Sequence, residues 1–483
     1  MVSRATLVTV YVFVLVCVLL LGSASWGATC SNATVTGVYG FQVSGMGQSG
    51  DPRADSGQLT ADGNGNFTGT ETTKVMGVTY TNVSLTGTYK ISANCSGSGT
   101  FTPSVGPAAT YNFVILSDRK TIQILNTTTL RTQYGYAVAQ GTAVCSTANL
   151  KGTYGFQGGS VGLNNPGSAS GQMILDGAGN LSGTETASMS GQIFTGIPIT
   201  GTYSMNSNCQ GTATLNAAGL APINLAMVEA NSGQSLLAME TDQNTTVLGS
   251  IQKAGSASCS DKTLSGVYGL VAGGTVNTSE VVALSNQFTA DGKGNLTGLQ
   301  TSSEGGVIVS NATTSGTYQI GATCTGSMTI TPQGGTAANY DLTVISGTKP
   351  LLVIDIDNNT NQVGYAETQG KATCTTAGIK GTYGMSLNGP QLLLDPTTIG
   401  GQISLDGAGN IKGTETASYN GKITKNASLT GTYNINSNCT GTATLTAKNL
   451  PVLNLNLTVT NAGSALLAIE TDAGTEVAGV LQH

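Results

Sequence analysis

Four copies of one sequence unit fill the chain after its first 27 residues. The copies open on similar phrases, which read CSNATVTGVYGF, CSTANLKGTYGF, CSDKTLSGVYGL and CTTAGIKGTYGM and begin at Cys30, Cys145, Cys259 and Cys374. The period is therefore 114 or 115 residues. This period is too long for one rung of a solenoid, and it suits a complete small domain. The chain must accordingly build one compact domain four times.

The repeats predict domains at residues 28–144, 145–258, 259–373 and 374–483, behind a leader at 1–27. In the leader, Arg4 precedes an apolar run from Ala5 to Leu21, and small residues follow it. This pattern is typical of a secretory signal peptide, with cleavage expected near Gly27. An uncleaved membrane anchor is the alternative interpretation. We expect no membrane span once the signal is removed.

The cysteines support export. Of nine, Cys17 lies in the leader, and the other eight follow one another at alternating gaps of about 65 and 50 residues. An even number at regular spacing behind a signal peptide predicts disulfides, and hence a secreted, periplasmic or cell-surface protein. We expect the pairs to form within the units: Cys30–Cys95, Cys145–Cys209, Cys259–Cys324 and Cys374–Cys439.

Within a unit the hydrophobic period is two, which is the period of a β-strand. The second unit has eight short alternating runs rich in Thr, Val and Tyr, and turn sequences such as Asp176-Gly-Ala-Gly-Asn180 separate most of them. Only the first and third connections are expected to be longer. Eight strands in hairpin succession form a meander, and closure removes its exposed edges. The sequence predicts an all-β fold of four tandem up-and-down antiparallel β-barrels. Immunoglobulin-like sandwiches are the alternative, although the only Trp lies in the leader.

One resemblance to a known family supports the barrel. The stretch from Ala61 to Tyr89, which reads ADGNGNFTGTET and then LTGTYKI, resembles the second to fourth strands of avidin and streptavidin, which are calycin-type barrels. The resemblance covers about 30 residues in each unit, and what it implies is barrel topology. The biotin pocket of that family depends on several Trp, which the mature chain lacks, so biotin binding is not implied.

Composition excludes several functions. Charged residues make up 9% of the chain, with 18 Lys and Arg against 24 Asp and Glu, so the chain has no basic surface for nucleic acid. The only His is the last residue, His483, which argues against His-ligated metals and Ser-His-Asp catalysis. We expect no enzymatic activity, no metal and no cofactor. The partner stays unknown; a surface polymer or a small ligand would fit.

Alternation also assigns side chains to the barrel interior. Two tyrosines of each unit share a face with apolar residues: Tyr39 and Tyr89, Tyr154 and Tyr203, Tyr268 and Tyr318, Tyr383 and Tyr433. The third strand places an acid or an amide on the same face: Glu71, Glu185, Gln300 and Glu415. An inward carboxylate is costly unless it is hydrogen-bonded, and a bound ligand would supply such a bond. These twelve residues are therefore the candidates for a ligand site in the lumen. The alternative interpretation is that the tyrosines fill the core and the acids make structural hydrogen bonds.

The seventh strand adds four further polar residues on the inner face, next to a turn where we expect them to be solvated: Asn126, Glu240, Asp355 and Glu470. The sequence as a whole favours a non-catalytic structural or adhesive role at the cell surface or outside the cell. Binding of a small ligand or saccharide in the lumen is the alternative, and catalysis ranks last.

Overall fold

A computed structural model describes residues 29–47, 51–141, 144–161, 166–255, 258–277, 280–345, 351–389 and 397–483. The leader predicted at 1–27 lies outside these ranges. The described residues form 32 strands in four closed antiparallel barrels of eight strands each. The predicted fold class is confirmed, and the sandwich alternative is wrong. None of the helices in the described ranges is long and apolar enough to cross a membrane.

Each barrel is an up-and-down meander whose last strand pairs with its first. Barrel 1 comprises β1 (Gly37–Met46), β2 (Pro52–Ala61), β3 (Asn66–Val75), β4 (Val78–Ile91), β5 (Ser96–Pro103), β6 (Ala109–Ile115), β7 (Thr121–Asn126) and β8 (Tyr134–Ala139). Barrel 2 comprises β9 (Lys151–Ser160), β10 (Gly167–Asp176), β11 (Asn180–Met189), β12 (Gln192–Met205), β13 (Gln210–Ala217), β14 (Ile223–Ala230), β15 (Ser235–Glu240) and β16 (Val247–Lys253).

The other two barrels repeat this order. Barrel 3 comprises β17 (Ser265–Val276), β18 (Glu280–Asp291), β19 (Asn295–Glu304), β20 (Val307–Ile320), β21 (Thr325–Pro332), β22 (Ala338–Val344), β23 (Leu351–Asp355) and β24 (Thr360–Thr368). Barrel 4 comprises β25 (Gly381–Asn388), β26 (Thr397–Leu405), β27 (Asn410–Tyr419), β28 (Lys422–Ile435), β29 (Thr440–Ala447), β30 (Leu453–Thr460), β31 (Ala465–Glu470) and β32 (Ala478–Gln482).

Short 3-10 turns flank several strands, at Asn32–Val35, Thr147–Asn149, Asn231–Gly233, Asp261–Thr263, Thr376–Gly378 and Asn461–Gly463. The Asp-Gly-x-Gly-Asn turns hold their shape through the Asp side chain. In barrel 2, the Asp176 carboxylate accepts hydrogen bonds from the backbone N–H groups of Ala178 and Asn180 and from the Asn180 amide, at 2.7–2.9 Å. Side-chain capping of this kind fixes the hairpin and its register.

The third connection differs from its prediction. It was expected to be longer than a hairpin, but β11 and β12 continue towards each other and turn at Ser190 and Gly191, both of which have positive φ. The equivalent turns lie at Met76-Gly77, Gly305-Gly306 and Asn420-Gly421. Two consecutive residues with positive φ form the tight turn that suits the twist of a two-stranded hairpin. The signal was present in the sequence as a Gly at the second turn position of every unit.

The four predicted disulfides are confirmed. They join Cys30 to Cys95, Cys145 to Cys209, Cys259 to Cys324 and Cys374 to Cys439, with Cα–Cα distances of 4.8–5.0 Å. Each bridge ties the segment before the first strand of its barrel to the turn before the fifth strand. We call this end of a barrel its disulfide end, and we call the opposite end its mouth.

The barrels contact one another in cyclic order. In every contact, the first three strands of one barrel face the sixth to eighth strands of the next, and we call such a contact a seam. A backbone N–H in the loop after the seventh strand donates to the carbonyl of the Gly in the β3–β4-type hairpin of the preceding barrel. These bonds are Asn244 to Gly77 (3.1 Å), Asn359 to Gly191 (2.8 Å), Gly474 to Gly306 (2.9 Å) and Leu130 to Gly421 (2.9 Å). The last bond joins barrel 4 to barrel 1, so the four barrels form a closed ring.

The Gly of each Tyr-Gly phrase allows the barrels to approach closely. A Cβ atom on Gly155 would lie 2.3 Å from the side chain of Ile345 in the next barrel. The equivalent glycines meet side chains of the adjoining barrel at 2.6–2.9 Å: Gly40 at Val228, Gly269 at Thr460 and Gly384 at Leu116. The Tyr therefore fills its own barrel, and the Gly that follows it makes room for the neighbour.

In each seam, a side chain of the third strand also donates to a backbone carbonyl of the next barrel. In the first seam the donor is the buried ammonium of Lys74, which reaches the carbonyls of Glu240 and Asp242 and the hydroxyl of Thr245. A serine hydroxyl takes this role in the other seams: Ser188 to Thr360, Ser303 to Thr475 and Ser418 to Arg131. The repetition of this bond makes the ring approximately four-fold symmetric.

The seam between barrels 4 and 1 can be opened by a single methyl group. Gly421 has φ +74, and a Cβ atom there would lie 2.6 Å from the Cα atom of Leu130. We expect Gly421→Ala to lose the seam and to increase the radius of gyration measured by small-angle X-ray scattering. Gly334→Ala is the control, because Gly334 has φ +77 and nothing within 4 Å. Both variants carry the backbone cost of about 1 kcal/mol, so an unchanged radius in Gly421→Ala would contradict the closed ring.

Candidate functional site

The tyrosines of the fourth strands close the disulfide end of each barrel. The Tyr203 hydroxyl donates to the carbonyl of Leu150 at 2.6 Å and accepts from the backbone N–H of Gly177 at 2.7 Å. Tyr318 and Tyr433 make the same carbonyl bond, to Leu264 and Ile379, at 2.7 and 2.6 Å. In barrel 1 the Tyr89 hydroxyl accepts from the N–H of Gly63 at 2.9 Å. These hydroxyls are occupied by backbone groups.

The tyrosines of the first strands are also buried, and most of them reach backbone carbonyls. The hydroxyls of Tyr154 and Tyr383 donate to Gly233 and Gly463, at 3.4 and 2.7 Å, and that of Tyr268 donates to Ser265 at 3.5 Å. Burial raises the pKa of Tyr154 to about 12. Burial also raises the pKa of Tyr39, with Tyr89 and Asp118 adding to the rise. The inward placement predicted for these tyrosines agrees with their position in the four cores.

Removal of one hydroxyl measures the structural role of the tyrosines. Tyr203→Phe leaves the carbonyl of Leu150 and the N–H of Gly177 without this partner. We expect the free energy of unfolding of barrel 2 to fall by about 1–3 kcal/mol, the cost of buried groups that lose a hydrogen bond. Tyr80→Phe is the control, because Tyr80 is 42% exposed. Equal stability of Tyr203→Phe and wild type in denaturant melts would show that the hydroxyl is held for another purpose.

The third-strand acids lie away from the fourth-strand tyrosines. Glu185 is paired with Gly171 of the adjacent strand β10, and it lies five residues after Asn180, which ends the turn that Tyr203 contacts. At about 3.3 Å per residue, that is some 16 Å along the strand. The acids therefore lie towards the mouth, whereas the fourth-strand tyrosines lie at the disulfide end. The structure does not join the twelve predicted residues into one site.

The acids are buried with few partners. Glu185 is 2% exposed, and its Oε1 atom has no hydrogen-bond partner among the described residues. Burial raises the pKa of Glu185 to about 7 and that of Glu415 to about 7. Burial raises the pKa of Glu71 well above its ordinary value, with Asp55 adding to the rise. Gln300 has a different partner, since its Oε1 accepts from the amide of Asn286 at 3.2 Å.

The seventh-strand residues are buried too, which corrects the expectation that they are solvated. Asn126 is 0% exposed and Asp355 is 2% exposed, because the loops that follow these strands fold over the mouth and form the seams. Burial raises the pKa of Asp355 to about 6 and that of Glu470 to about 8. We call these four residues and the four third-strand residues the acid layer.

Barrel 4 shows the acid layer most clearly. Burial raises the pKa of Tyr419, and the nearby carboxyls of Glu415 and Glu470 add to the rise, so all three groups lie in one mouth. The Tyr419 hydroxyl is buried without a hydrogen-bond partner in the described part of the chain. Water does not reach these groups, so their ionisation is unfavourable in the folded state. The acid layer therefore lowers the stability of the fold as pH rises.

The pH dependence of stability tests the acid layer. The pKa of Glu185 rises from an ordinary value of 4.5 to about 7 on folding, so folding favours the protonated form. This contribution is complete below pH 4.5 and is lost as pH rises through 7. We expect Glu185→Gln to match wild type near pH 4.5 and to be more stable by up to about 3 kcal/mol above pH 7.

Denaturant melts of the two proteins across this pH range measure the difference. Glu304→Gln is the matched control, because it removes an exposed carboxylate from the third strand of a neighbouring barrel. A difference between Glu185→Gln and wild type that does not vary with pH would contradict the buried acid.

The lumen of barrel 1 has little free space. The cavity in barrel 1 has a volume of about 40 Å³ and is lined entirely by apolar and tyrosine side chains, among them Val35, Leu59 and Phe101. Ligand pockets for drug-sized molecules occupy about 300–1,000 Å³, so this cavity has room for a few water molecules only. Within the described ranges, no group of three or more His, Cys, Asp and Glu side chains is arranged to hold a metal ion.

The mouth of barrel 1 contains charged residues that the sequence analysis did not select. Arg53 and Asp55 lie on the inner face of β2, and Arg131 lies in the loop after β7. The sequence carried a signal for them, since every Arg after residue 27 falls in the first unit. The signal was missed because strand alternation alone does not place a loop residue such as Arg131.

Comparison with known proteins assigns no family to the chain. Neither a protein-family model nor a curated protein matches the sequence. Among solved structures, the isotype 1 transferrin binding protein B from serogroup B Neisseria meningitidis is 9% identical, with a TM-score of 0.21, over 77% of this chain and 83% of that chain. A transferrin binding protein B variant from Haemophilus parasuis is 9% identical, with a TM-score of 0.18, over 77% and 85% of the two chains. Likeness at this level leaves the chain without an assigned family.

Proposed function

We propose that the chain is an exported, non-catalytic protein with a structural or adhesive role, in which four barrels form one rigid body. The observation that carries the proposal is the packing of the lumens. Each barrel has a continuous core of buried apolar side chains, and the hydroxyls of Tyr203, Tyr318 and Tyr433 are bonded to backbone groups at its end. An interior packed in this way supports shape and gives a ligand no room.

The outer surface and the disulfides suit an exported scaffold. The four disulfides within the barrels favour an oxidising compartment, where such bonds form and persist. The outward residues of the fourth and fifth strands are mainly uncharged, for example Thr86, Thr88 and Thr102 in barrel 1. Such a surface presents hydroxyl groups to its surroundings with little electrostatic preference. The signal peptide and the four domain boundaries of the sequence analysis belong to the same proposal.

The alternative function is ligand binding in the lumen. A variant that adds one methylene group to the lumen distinguishes it from this proposal. Val35→Ile adds a CH₂ group to the wall of the cavity in barrel 1. Under our proposal, this variant folds with a stability within about 1.5 kcal/mol of wild type. It also supports attachment of the producing cells to a surface as well as wild type does.

The measurement compares cells that lack the gene with cells that carry wild type or Val35→Ile. We expect loss of the gene to reduce attachment or envelope integrity, and both proteins to restore it equally. Restoration by wild type alone would favour the lumen as a binding site. An unchanged phenotype on loss of the gene would contradict the structural or adhesive role.

A further inference from the structure

Exposed apolar side chains gather at the mouth end of the ring. Of the eleven large apolar side chains that are exposed in the described ranges, nine lie at this end, and two, Val144 and Ile174, lie at or near the disulfide end. The nine are Met76, Val78, Tyr80, Val105, Leu130, Met189, Val307, Val309 and Val452. Apolar residues scattered singly over a surface need no explanation, whereas those gathered on one surface mark a contact with another molecule.

Six of these nine belong to the hairpins between the third and fourth strands. We call them the mouth hairpins; they turn at residues 76–77, 190–191, 305–306 and 420–421. In barrel 1, β5 ends at Pro103, which is paired with Leu85, so the part of β4 before Leu85 extends past β5. The other barrels show the same arrangement. The mouth hairpins therefore project beyond the neighbouring fifth strands, where another molecule can reach them.

The mouths of barrels 3 and 4 carry opposite exposed charges. Glu304 ends β19 at the mouth hairpin of barrel 3, and Glu280 begins the adjacent strand β18. The mouth hairpin of barrel 4 carries Lys422 and Lys425, and Lys448 follows β29 in the same mouth. All five side chains are exposed. In the described part of these two mouths, no exposed base accompanies the acids of barrel 3 and no exposed acid accompanies the lysines of barrel 4.

The mouths of barrels 1 and 2 are apolar instead. Met76 is 63% exposed at the mouth hairpin of barrel 1, and Met189 is 38% exposed at that of barrel 2. Within the described ranges, neither mouth has an exposed charged side chain. Around the ring, the mouth hairpins therefore follow in the order apolar, apolar, acidic and basic. Val307 and Val309 add apolar surface beside Glu304.

This order matches a second copy of itself under one rotation. Four hairpins in an approximately four-fold ring lie at the corners of a square, and a two-fold axis in the plane of the ring can exchange neighbouring corners in pairs. An axis that places the hairpin of barrel 3 over that of barrel 4 in a second copy also places the hairpin of barrel 1 over that of barrel 2. Acid then faces base twice, and apolar tips face apolar tips twice. The rotation that pairs barrel 2 with barrel 3 gives no opposite charges in contact.

We propose that two copies of the chain bind each other mouth to mouth about this two-fold axis. The contact removes the apolar hairpin tips from water, and the charged hairpins select the orientation, because complementary charges fix the register of an interface. An isologous contact of this kind closes on itself, so the assembly stops at two copies. The proposal goes beyond the structural or adhesive role and does not rest on it, since the contact uses neither the lumens nor the outer strands.

Sedimentation velocity of the exported protein, from nanomolar to high micromolar concentration, tests the contact. We expect a reversible equilibrium between monomer and dimer without larger species. Glu304→Lys makes both charged hairpins basic, and Lys422→Glu places an acid in the basic one, so we expect each to weaken the dimer at least about tenfold. Lys412→Glu is the control, because Lys412 is an exposed lysine of barrel 4 near the disulfide end; its dimer should match that of wild type.

Mixing the two variants gives the sharpest result. When Glu304→Lys meets Lys422→Glu, a Lys at one of these positions faces a Glu at the other in both charged contacts. We therefore expect a mixed dimer with an affinity close to that of wild type. The double variant Glu304→Lys, Lys422→Glu exchanges the charges within one chain, and it should dimerise with itself.

A second pair of variants tests the apolar tips. We expect Met76→Asp to weaken the dimer at least about tenfold, because it places a charge on an apolar contact. Ile174→Asp is the matched control, since Ile174 is 52% exposed near the opposite end of a barrel, and it should leave the dimer unchanged. The proposal is overturned if wild type stays monomeric over the whole range, or if the two charge variants form no mixed dimer. Binding of monomeric wild type to phosphatidylcholine vesicles, lost in Met76→Asp, would make a lipid surface the occupant and overturn it as well.

Discussion

Pairing of the first and eighth strands is the constraint on which the rest of this structure depends. Once an eight-stranded sheet closes, its interior is just wide enough for the side chains that point into it. Every second residue of every strand must then fill that space, and Leu, Ile, Phe and Tyr do so along most of its length. The small cavity left in barrel 1 and the loss of water around Glu185 and Glu415 both follow from closure.

Closure also frees the outer wall for contacts between barrels. A closed barrel has no edge strand to protect, so its first three strands and its last three can carry seams. Gly155 and Gly421 show how little side chain these seams tolerate, since a single Cβ atom at either position would meet the adjoining barrel at under 3 Å. The four barrels therefore form one packed body in which each barrel supports the next.

Much of this architecture could be predicted from the sequence, for physical reasons that particular residues show. Alternation with period two placed Tyr154 and Glu185 inside, and the even spacing of cysteines gave the pairing of Cys145 with Cys209. Alternation predicts which face of the sheet a residue lies on, but not its position along the barrel axis. The separation of Glu185 from Tyr203 along that axis therefore could not be predicted. The ring was missed as well, because its contacts join residues such as Leu130 and Gly421 that no local pattern relates.

The closed ring fixes the number of repeats. Tandem repeats are readily gained and lost when a gene recombines with itself, and an open stack of domains accommodates such changes at its ends. Here the fourth seam brings Gly421 back to Leu130 and closes the ring. A copy with three or five units would leave two complementary faces unmatched, free to join other molecules end to end. Selection against such polymers would hold this gene at four units, even while the individual units diverge in sequence.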